Sequence, residues 1–416
     1  MSGSDARAAM APWVVVVALA LLTGLQPLTT DMYLPALPQM QSGLGMSSAA
    51  AQTTLSALIL SFGCGQLVWG PIADRFGRRV VLRSGLALFV LASIVTVVAQ
   101  DGFTMIAARA AQGATLSAAV VCGRAMVRDL YAPQEGARVM SQGMTGLGAL
   151  ALIGPITGGL TATWWGWRAT MGTLAILACL ILLFVWFKLP ETLPRERQQT
   201  QLNWGLLLRQ WRDISRHRTF RAHALLTSST YGGLYVYLAL SSFAFINVLG
   251  TSRTAFGASM ATLSLSYLVG TLFCRRWLPK HGLTGTVALA GKFSFVGGLY
   301  MVCMSLAWWA QWSLSAWWIL PGMALYAFAH GIHQPCGQTG VVAAFPHQAG
   351  AASALSGFVL STAAFGIGLL LSYLTALPAL SHTIHPMNVG VGLGGMLTAW
   401  VAHTLIQRDG LPQTAD

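Results

Sequence analysis

Long apolar stretches, each about as long as a membrane crossing, recur from one end of this 416-residue chain to the other. A helix needs about 20 predominantly apolar residues to cross the hydrocarbon core of a bilayer. Charged residues make up only 8% of the chain, whereas a typical soluble protein has about 25%. Because so few charges cannot cover a water-facing surface, the sequence excludes a soluble enzyme. The 55% of hydrophobic residues excludes a disordered chain, so the sequence indicates an integral membrane protein.

The apolar stretches are continuous rather than alternating with polar residues, so the sequence predicts an all-α integral membrane protein and not a β-barrel. At roughly 33 residues for each span and its loop, the chain has room for about twelve transmembrane helices. We expect spans 1 to 6 at about 12–33, 50–70, 80–99, 103–126, 138–161 and 168–187. We expect spans 7 to 12 at about 222–249, 255–275, 284–307, 314–336, 349–376 and 387–406.

The longest hydrophilic stretch follows the sixth predicted span. It divides the chain into an N-terminal six-helix half at 1–187, a cytoplasmic linker at 188–221 and a C-terminal six-helix half at 222–416. Two halves related by an axis along the membrane normal, with the substrate site between them near the midplane, are a known transporter plan.

The net charge of +13 reflects lysines and arginines that fall almost entirely on one side of the predicted spans. Only Arg168 and Arg253 fall on the opposite side, and Arg124 is assigned to the cytoplasmic connection between spans 4 and 5. Such a bias is typical of cytoplasmic loops, so it indicates cytoplasmic termini and no nucleic-acid partner.

The connection between spans 2 and 3 has the sequence GPIADRFGRR, from Gly70 to Arg79. Gly70 and Gly77 permit a tight loop, and Asp74 is an acceptor at the membrane edge. A simple membrane anchor would explain the arginines but not the glycine and aspartate spacing. The arginines of this connection are Arg75, Arg78 and Arg79.

This decapeptide resembles the loop signature of the major facilitator superfamily. Arg109, Gln112 and Gly113 in span 4 resemble the intramembrane arginine motif of that family. The antiporter motif of the family is resembled by a stretch of span 5 that contains Gly154, Pro155, Gly158 and Gly159. The resemblance implies alternating access, and it implies that the decapeptide is a gating loop. This loop would act as a latch in which Asp74 meets the start of span 11, near Gly350.

A narrower resemblance, to the Bcr/CflA drug-efflux group, covers nearly the whole chain. It is carried by TDMYLPALP from Thr30, RDLY from Arg128, GWR from Gly166 and PHQAGAASAL from Pro346. That group includes bicyclomycin and chloramphenicol exporters. The resemblance implies that substrate moves outward as protons move inward, with the aspartate of span 1 at Asp31 and the intramembrane arginine at Arg109.

Asp31 and Arg109 are the predicted proton and substrate coupling pair. Ionisable residues inside a membrane usually face a cavity or pair with one another, so Asp31 is a candidate proton carrier, although it could instead be a polar group at the water interface. Arginine does not lose its proton in proteins, so Arg109 can only influence a nearby carboxylate or tie two helices together.

Further polar and aromatic residues are candidates for the substrate cavity. His330 and His333 could line the cavity or be buried, hydrogen-bonded histidines, and two histidines without further ligands do not make a metal site. The glycines of span 5 permit either helix packing alone or a leak-blocking hinge. The full candidate set for the cavity is Tyr33, Gln112, Tyr231, Tyr235, His330, His333 and Gln334.

The function expected from the resemblance is proton-coupled export of small drug-like compounds across the bacterial inner membrane. A carrier of nucleosides, sugars or amino acids on the same scaffold is the alternative. A membrane-embedded enzyme is disfavoured because the sequence has no HExxH, GxSxG or Walker motif. We expect a functional monomer in the lipid bilayer, a small-molecule substrate, protons as the coupling ion and no cofactor.

Overall fold

Long helices make up almost all of the fold. The computed structural model describes residues 10–193 and 204–411, and every regular element in those ranges is helical. Spans 1 to 6 are the helices Pro12–Asp31, Ser48–Phe76, Arg78–Val98, Gly102–Leu130, Pro133–Trp164 and Trp167–Lys188. Span 7 is Arg218–Ser242, Arg253–Trp309 contains spans 8 and 9, and spans 10 to 12 are Leu320–Ala343, Ala349–Ala376 and His385–His403.

Shorter helical segments connect or extend the spans. After span 1 the chain forms a 3-10 turn and a short helix, and a π-helical segment continues span 7. The short segments are Leu34–Ala36, Leu37–Gly43, Trp204–Arg216, Phe243–Val248, Ala316–Trp318, Pro346–Gln348 and Leu405–Asp409.

Ten helices in the described ranges are long and apolar enough to cross a membrane. One of them is the 57-residue helix Arg253–Trp309, in which Gly282 has a non-helical backbone with φ of 64° and ψ of −177°. The chain bends there, so this helix holds two of the predicted spans. Leu320–Ala343 is not among the ten, but its 24 residues are long enough for a crossing. The described helices therefore correspond to the twelve predicted spans.

Spans 1 to 6 pack mainly against one another, and so do spans 7 to 12. The largest contacts between the two groups join span 2 to span 11 and span 5 to span 8. We call the side of the molecule with residues 10 and 411 the terminal face and the other side the opposite face. Large apolar side chains project outward between the two faces, as a lipid-exposed surface requires, including Leu180 and Leu393.

The predicted gating loop is not a loop in the structure. Residues 70–76 complete span 2, and span 3 begins at Arg78, so a single residue makes the turn. That residue is Gly77, with a φ of 92° that side chains other than glycine rarely adopt. Span 2 continues through the decapeptide because membrane helices tolerate an internal proline such as Pro71. The gating role of these residues stays a prediction.

The predicted linker at 188–221 also contains helical structure. Trp204–Arg216 is a strongly amphipathic helix that packs its buried Ile214 toward spans 7 and 11. Span 7 begins at Arg218 rather than at residue 222. The polar composition of this stretch hid the helix Trp204–Arg216 and the first turn of span 7, because a helix lying along a membrane surface exposes its charged side to water.

Candidate substrate cavity

A cavity of about 70 Å³ lies between the two groups of spans. It has room for a small cluster of water molecules. Spans 1, 2 and 4 form one wall, and spans 7, 10 and 11 form the other. The lining residues are Gln26, Thr30, Leu58, Ile59, Phe62, Gln66, Arg124, Tyr231, Gln334, Gln338, Gly357, Leu360 and Ser361.

Two of the predicted cavity residues, Tyr231 and Gln334, line this space. Gln338, on the same polar face of span 10 as Gln334, also lines it, and sequence reasoning missed two further glutamines, at positions 26 and 66. An amide side chain inside an apolar span is the signal that could have found them, because lipid offers it no hydrogen-bond partner.

Arg124 is a correction to the sequence interpretation. It was assigned to the cytoplasmic connection after span 4, yet span 4 continues to Leu130 and Arg124 lines the cavity. The predicted span 4 at 103–126 contains Arg124 in its last turn, and grouping this residue with the basic residues of the connection gave no sign that it faces a cavity.

Asp31 is the last residue of span 1 and lies beside the cavity without lining it. The Thr30 hydroxyl, which belongs to a lining residue, donates a hydrogen bond of 2.7 Å to the Asp31 carboxylate. The carboxylate also lies close enough to Tyr231, on the opposite wall, for the two to interact electrostatically. Asp31 is partly buried, so it is placed next to a chamber rather than fully in bulk solvent.

Arg109 is completely buried and joins span 4 to span 1. Its Nη2 donates to the backbone carbonyl of Thr29 at 3.0 Å, and its Nη1 donates to Gln112 Oε1 at 2.9 Å. The guanidinium lies 4.0 Å from the centre of the Tyr33 ring, a cation–π geometry. Gln112 in turn donates to Ser93 Oγ of span 3 at 2.9 Å. Within the described ranges, Arg109 makes no ion pair with Asp31.

The remaining candidates for the cavity lie outside its lining. Tyr235 is buried and its hydroxyl lies 2.6 Å from Ser56 Oγ of span 2, so it bridges the two groups of spans. His330 Nδ1 lies 3.1 Å from Thr230 Oγ1, and His333 Nε2 donates to the carbonyl of Val287 at 3.3 Å. Both histidines are thus buried, hydrogen-bonded groups inside spans 7 to 12.

The glycines of span 5 lie where other helices come closest. A side chain at Gly158 would collide with the backbone carbonyl of Met32, just after span 1. A Cβ atom at Gly159 would stand 2.8 Å from the carbonyl of Arg253, at the start of span 8. Gly154 faces Leu28 of span 1, and the carbonyl of Pro155 faces Gly257 of span 8. The motif therefore lets span 5 contact both groups of spans.

Two charged side chains of the decapeptide, Asp74 and Arg78, bind each other and a neighbouring span. Arg78 pairs with Asp74 at 2.6 Å and with Asp129 of span 4 at 3.1 Å. Glu191, which the sequence did not single out, accepts hydrogen bonds of 2.9 and 3.0 Å from the backbone N–H groups of Arg78 and Arg79. It thereby satisfies the free N–H groups at the start of span 3.

The expected contact between Asp74 and the start of span 11 is replaced by another one in this conformation. The guanidinium of Arg128, from span 4, lies 3.6 Å from where a Cβ atom of Gly350 would stand. Asp74 instead pairs with Arg78 on its own side of the molecule.

The fold, the cavity between two groups of six spans and the glycine contacts of span 5 define a membrane transporter. The family model for the Major Facilitator Superfamily matches residues 19–369, and the chain belongs to that family. This confirms the resemblance in the sequence. The fold is also that of a solved D-xylose-proton symporter, with a TM-score of 0.72 and 16% identity over 97% of this chain and 98% of that one.

Two similar proteins carry names that refer to drug resistance. A Pseudomonas aeruginosa protein named chloramphenicol resistance protein is 29% identical over 89% of this chain and 87% of its own length. The multidrug resistance protein D of Escherichia coli K12 is 29% identical over 86% of this chain and 88% of its own length.

Proposed function

We propose that this protein is a proton-coupled antiporter that exports small drug-like compounds across the bacterial inner membrane by alternating access. The observation that carries the proposal is the position of Asp31, a carboxylate at the edge of a cavity shared by both groups of spans. The names of the two relatives support drug-like compounds as the substrate class.

The coupling step is a competition at the cavity edge. Asp31 takes up a proton when the chamber is empty and open to the proton-rich side, because an unpaired charge inside a membrane is costly. Substrate entering from the cytoplasm contacts Thr30 and Tyr231, which both adjoin Asp31, and favours release of that proton. Arg109 holds the end of span 1 in place through Thr29 and Tyr33 while this exchange occurs.

The directional part of the proposal rests on the distribution of basic residues. The terminal face is the cytoplasmic one, so both chain ends and the linker at 188–221 lie in the cytoplasm. The halves at 1–187 and 222–416 rock about the chamber, and one chain is the working unit. Protons that enter the cell down their gradient then drive substrate out.

The test is flux into or out of proteoliposomes under an imposed pH gradient. The compound panel holds chloramphenicol, aryl amines and lipophilic cations beside nucleosides, sugars and amino acids, so it also separates export of drugs from carriage of metabolites. We expect gradient-driven flux of at least one drug-like compound by the unmodified protein.

Asp31→Asn removes the titrating group and keeps the side-chain shape, so we expect it to abolish gradient-driven flux. Asp213→Asn is the matched control, because Asp213 is an exposed carboxylate on the amphipathic helix Trp204–Arg216. Full gradient-driven flux in the Asp31→Asn protein would remove Asp31 from the mechanism.

A further inference from the structure

Two of the six cysteines, Cys274 of span 8 and Cys336 of span 10, lie side by side inside the group formed by spans 7 to 12. Their sulfur atoms are 3.6 Å apart, and both side chains are free thiols. The two residues belong to different helices and are separated by 62 positions in the chain. The packing of spans 8 and 10, and not a local motif, therefore brings the two sulfur atoms together.

A close crossing of the two helices fixes the position of the thiols. A Cβ atom at Gly270 would collide with the backbone of span 10, and a Cβ atom at Gly331 would collide with the backbone of span 8. Facing glycines let two membrane helices approach backbone to backbone. Spans 8 and 10 run in the same direction, because span 9 returns between them. Cys274 and Cys336 lie about one turn beyond these glycines, so their side chains meet next along the crossing.

The surroundings of the two sulfur atoms are apolar. Cys274 is 6% exposed and Cys336 is 3% exposed, and both pack into a cluster with Leu226, Ile332 and Val401. Zinc needs about four ligands, and in the ranges 10–193 and 204–411 no third metal-binding side chain joins the pair. A charged product would be costly in this cluster, whereas a disulfide is neutral. Because a disulfide holds its sulfur atoms about 2 Å apart, the thiols need only a small approach.

We propose that Cys274 and Cys336 are an oxidation site, at which a peroxide converts the two thiols into a disulfide between spans 8 and 10. A peroxide is small and uncharged, so it can enter the apolar cluster. In the first step one sulfur attacks a peroxide oxygen: an S–O bond forms, the O–O bond breaks, and water leaves with the thiol proton. The second sulfur then attacks the sulfenic sulfur: the S–S bond forms, the S–O bond breaks, and a second water leaves. Two thiols are oxidised, and one hydrogen peroxide is reduced to two waters.

The disulfide acts on the chamber through span 10. Gln334 and Gln338 line the chamber, and Cys336 lies between them on the side of the helix that faces span 8. On span 8, Arg275 follows the other cysteine and donates a hydrogen bond of 2.7 Å to Ser141 of span 5. The disulfide therefore fixes one wall of the chamber to a helix that contacts the other group of spans, which slows the movement between the groups. This effect on flux rests on the proposed transport function, whereas the oxidation itself does not.

The experiment uses a full-length protein in which Cys274 and Cys336 are the remaining cysteines. It carries the substitutions Cys64→Ala, Cys122→Ala, Cys179→Ala and Cys303→Ala. The protein in proteoliposomes is treated with hydrogen peroxide, digested without a reductant and analysed by mass spectrometry. We expect a linked pair of peptides that contains both cysteines and that separates on addition of dithiothreitol. We also expect oxidation to lower gradient-driven flux at least twofold and dithiothreitol to restore it.

The matched control keeps Cys122 and Cys336 and replaces the other four cysteines with alanine. Cys122 is also a buried thiol, but it belongs to span 4 in the other group of spans. The control thus has the same number of buried thiols without the contact between them. We expect hydrogen peroxide to produce no linked peptides in it and no reversible loss of flux. If the four substitutions prevent folding, the unmodified protein is oxidised in the same way, with Cys336→Ser as its control.

The outcomes separate the oxidation site from the export function. Thiols that stay unlinked after peroxide treatment, or that go only to sulfinic acid, overturn the site. A disulfide that forms while flux stays unchanged overturns its effect on transport. A reduced protein that moves none of the compounds overturns the proposed export function, and the mass spectra still decide whether the disulfide forms.

Discussion

Arg109 satisfies its buried charge with neutral oxygens and an aromatic ring rather than with a carboxylate. Its hydrogen bonds end on Thr29 and Gln112, and its charge lies over Tyr33. The sequence suggested that Arg109 acts on Asp31. Arg109 contacts span 1 at Thr29, two residues before Asp31. Any influence of Arg109 on Asp31 therefore acts through the position of span 1.

Replacing Arg109 should therefore lower stability. In Arg109→Ala the Thr29 carbonyl and Gln112 lose a charged donor in a buried site, which we expect to cost about 3 kcal/mol. Arg109→Lys should recover only part of this loss, because lysine cannot reach both acceptors with a planar fork. Thermal unfolding of the purified proteins measures the effect, with Arg276→Ala as the exposed control. Equal unfolding temperatures for Arg109→Ala and the unmodified protein would contradict a stabilising link between spans 4 and 1 through Arg109.

At the scale of the elements, close helix approach in span 5 depends on the absence of side chains. Gly158 meets the backbone of Met32, and Gly159 meets the backbone of Arg253 on the other side of the helix. A backbone cannot rotate aside as a side chain can, so these contacts leave no room for even a methyl group.

Gly158→Ala should force span 5 away from span 1 and lower both the unfolding temperature and the transport rate. Gly172→Ala is the control, because a Cβ atom at Gly172 of span 6 meets no other atom within 4 Å. Adding the same methyl group there should change neither quantity measurably. Thermal unfolding and proteoliposome flux provide the comparison. An unchanged unfolding temperature and transport rate in Gly158→Ala would show that there is room for a methyl group between spans 5 and 1.

The beginning of span 3 illustrates the limits of sequence reasoning about elements. Glycine spacing in the decapeptide pointed to a turn, and Gly77 makes that turn. The acceptor for the first N–H groups of span 3, however, is Glu191, which follows span 6. No local pattern reveals this cap, because it depends on a contact between segments more than a hundred residues apart.

At the scale of the whole molecule, the two groups of spans are joined by helix packing and by side-chain hydrogen bonds. Near the opposite face, Gln52 Nε2 donates to Thr375 Oγ1 at 3.2 Å, and Ser56 bonds to Tyr235. Thr163 Oγ1 of span 5 also lies 3.2 Å from Thr254 Oγ1 of span 8. These contacts close the chamber on the opposite face, so transport by alternating access requires them to separate.

A covalent link across this closure should stop transport. In a variant without the native cysteines, we expect crosslinking of Thr163→Cys with Thr254→Cys to abolish flux. The pair Thr161→Cys and Thr170→Cys is the control, because those hydroxyls are 3.0 Å apart but both belong to spans 1 to 6. Crosslinking the control pair should leave flux intact. Undiminished flux with spans 5 and 8 linked would mean that the two groups do not separate there.

The sequence by itself determined the environment, the number of spans and the family of this protein. A bilayer admits only segments whose backbone groups bond internally, so long apolar stretches leave helices as the solution for these spans. The decapeptide and the glycines of span 5 could also be recognised in the sequence, because each motif consists of residues that are close together in the chain.

Only the tertiary structure decided which polar side chains share the chamber. Gln66 and Arg124 face the cavity, whereas Tyr235 and His333 point into helix contacts, although all four lie in apolar spans. The rotation of each helix about its axis decides whether a side chain faces the cavity or packs between helices. That rotation is set by packing against several neighbouring helices at once. A single sequence carries the composition of each span but not the neighbours that choose which face turns inward.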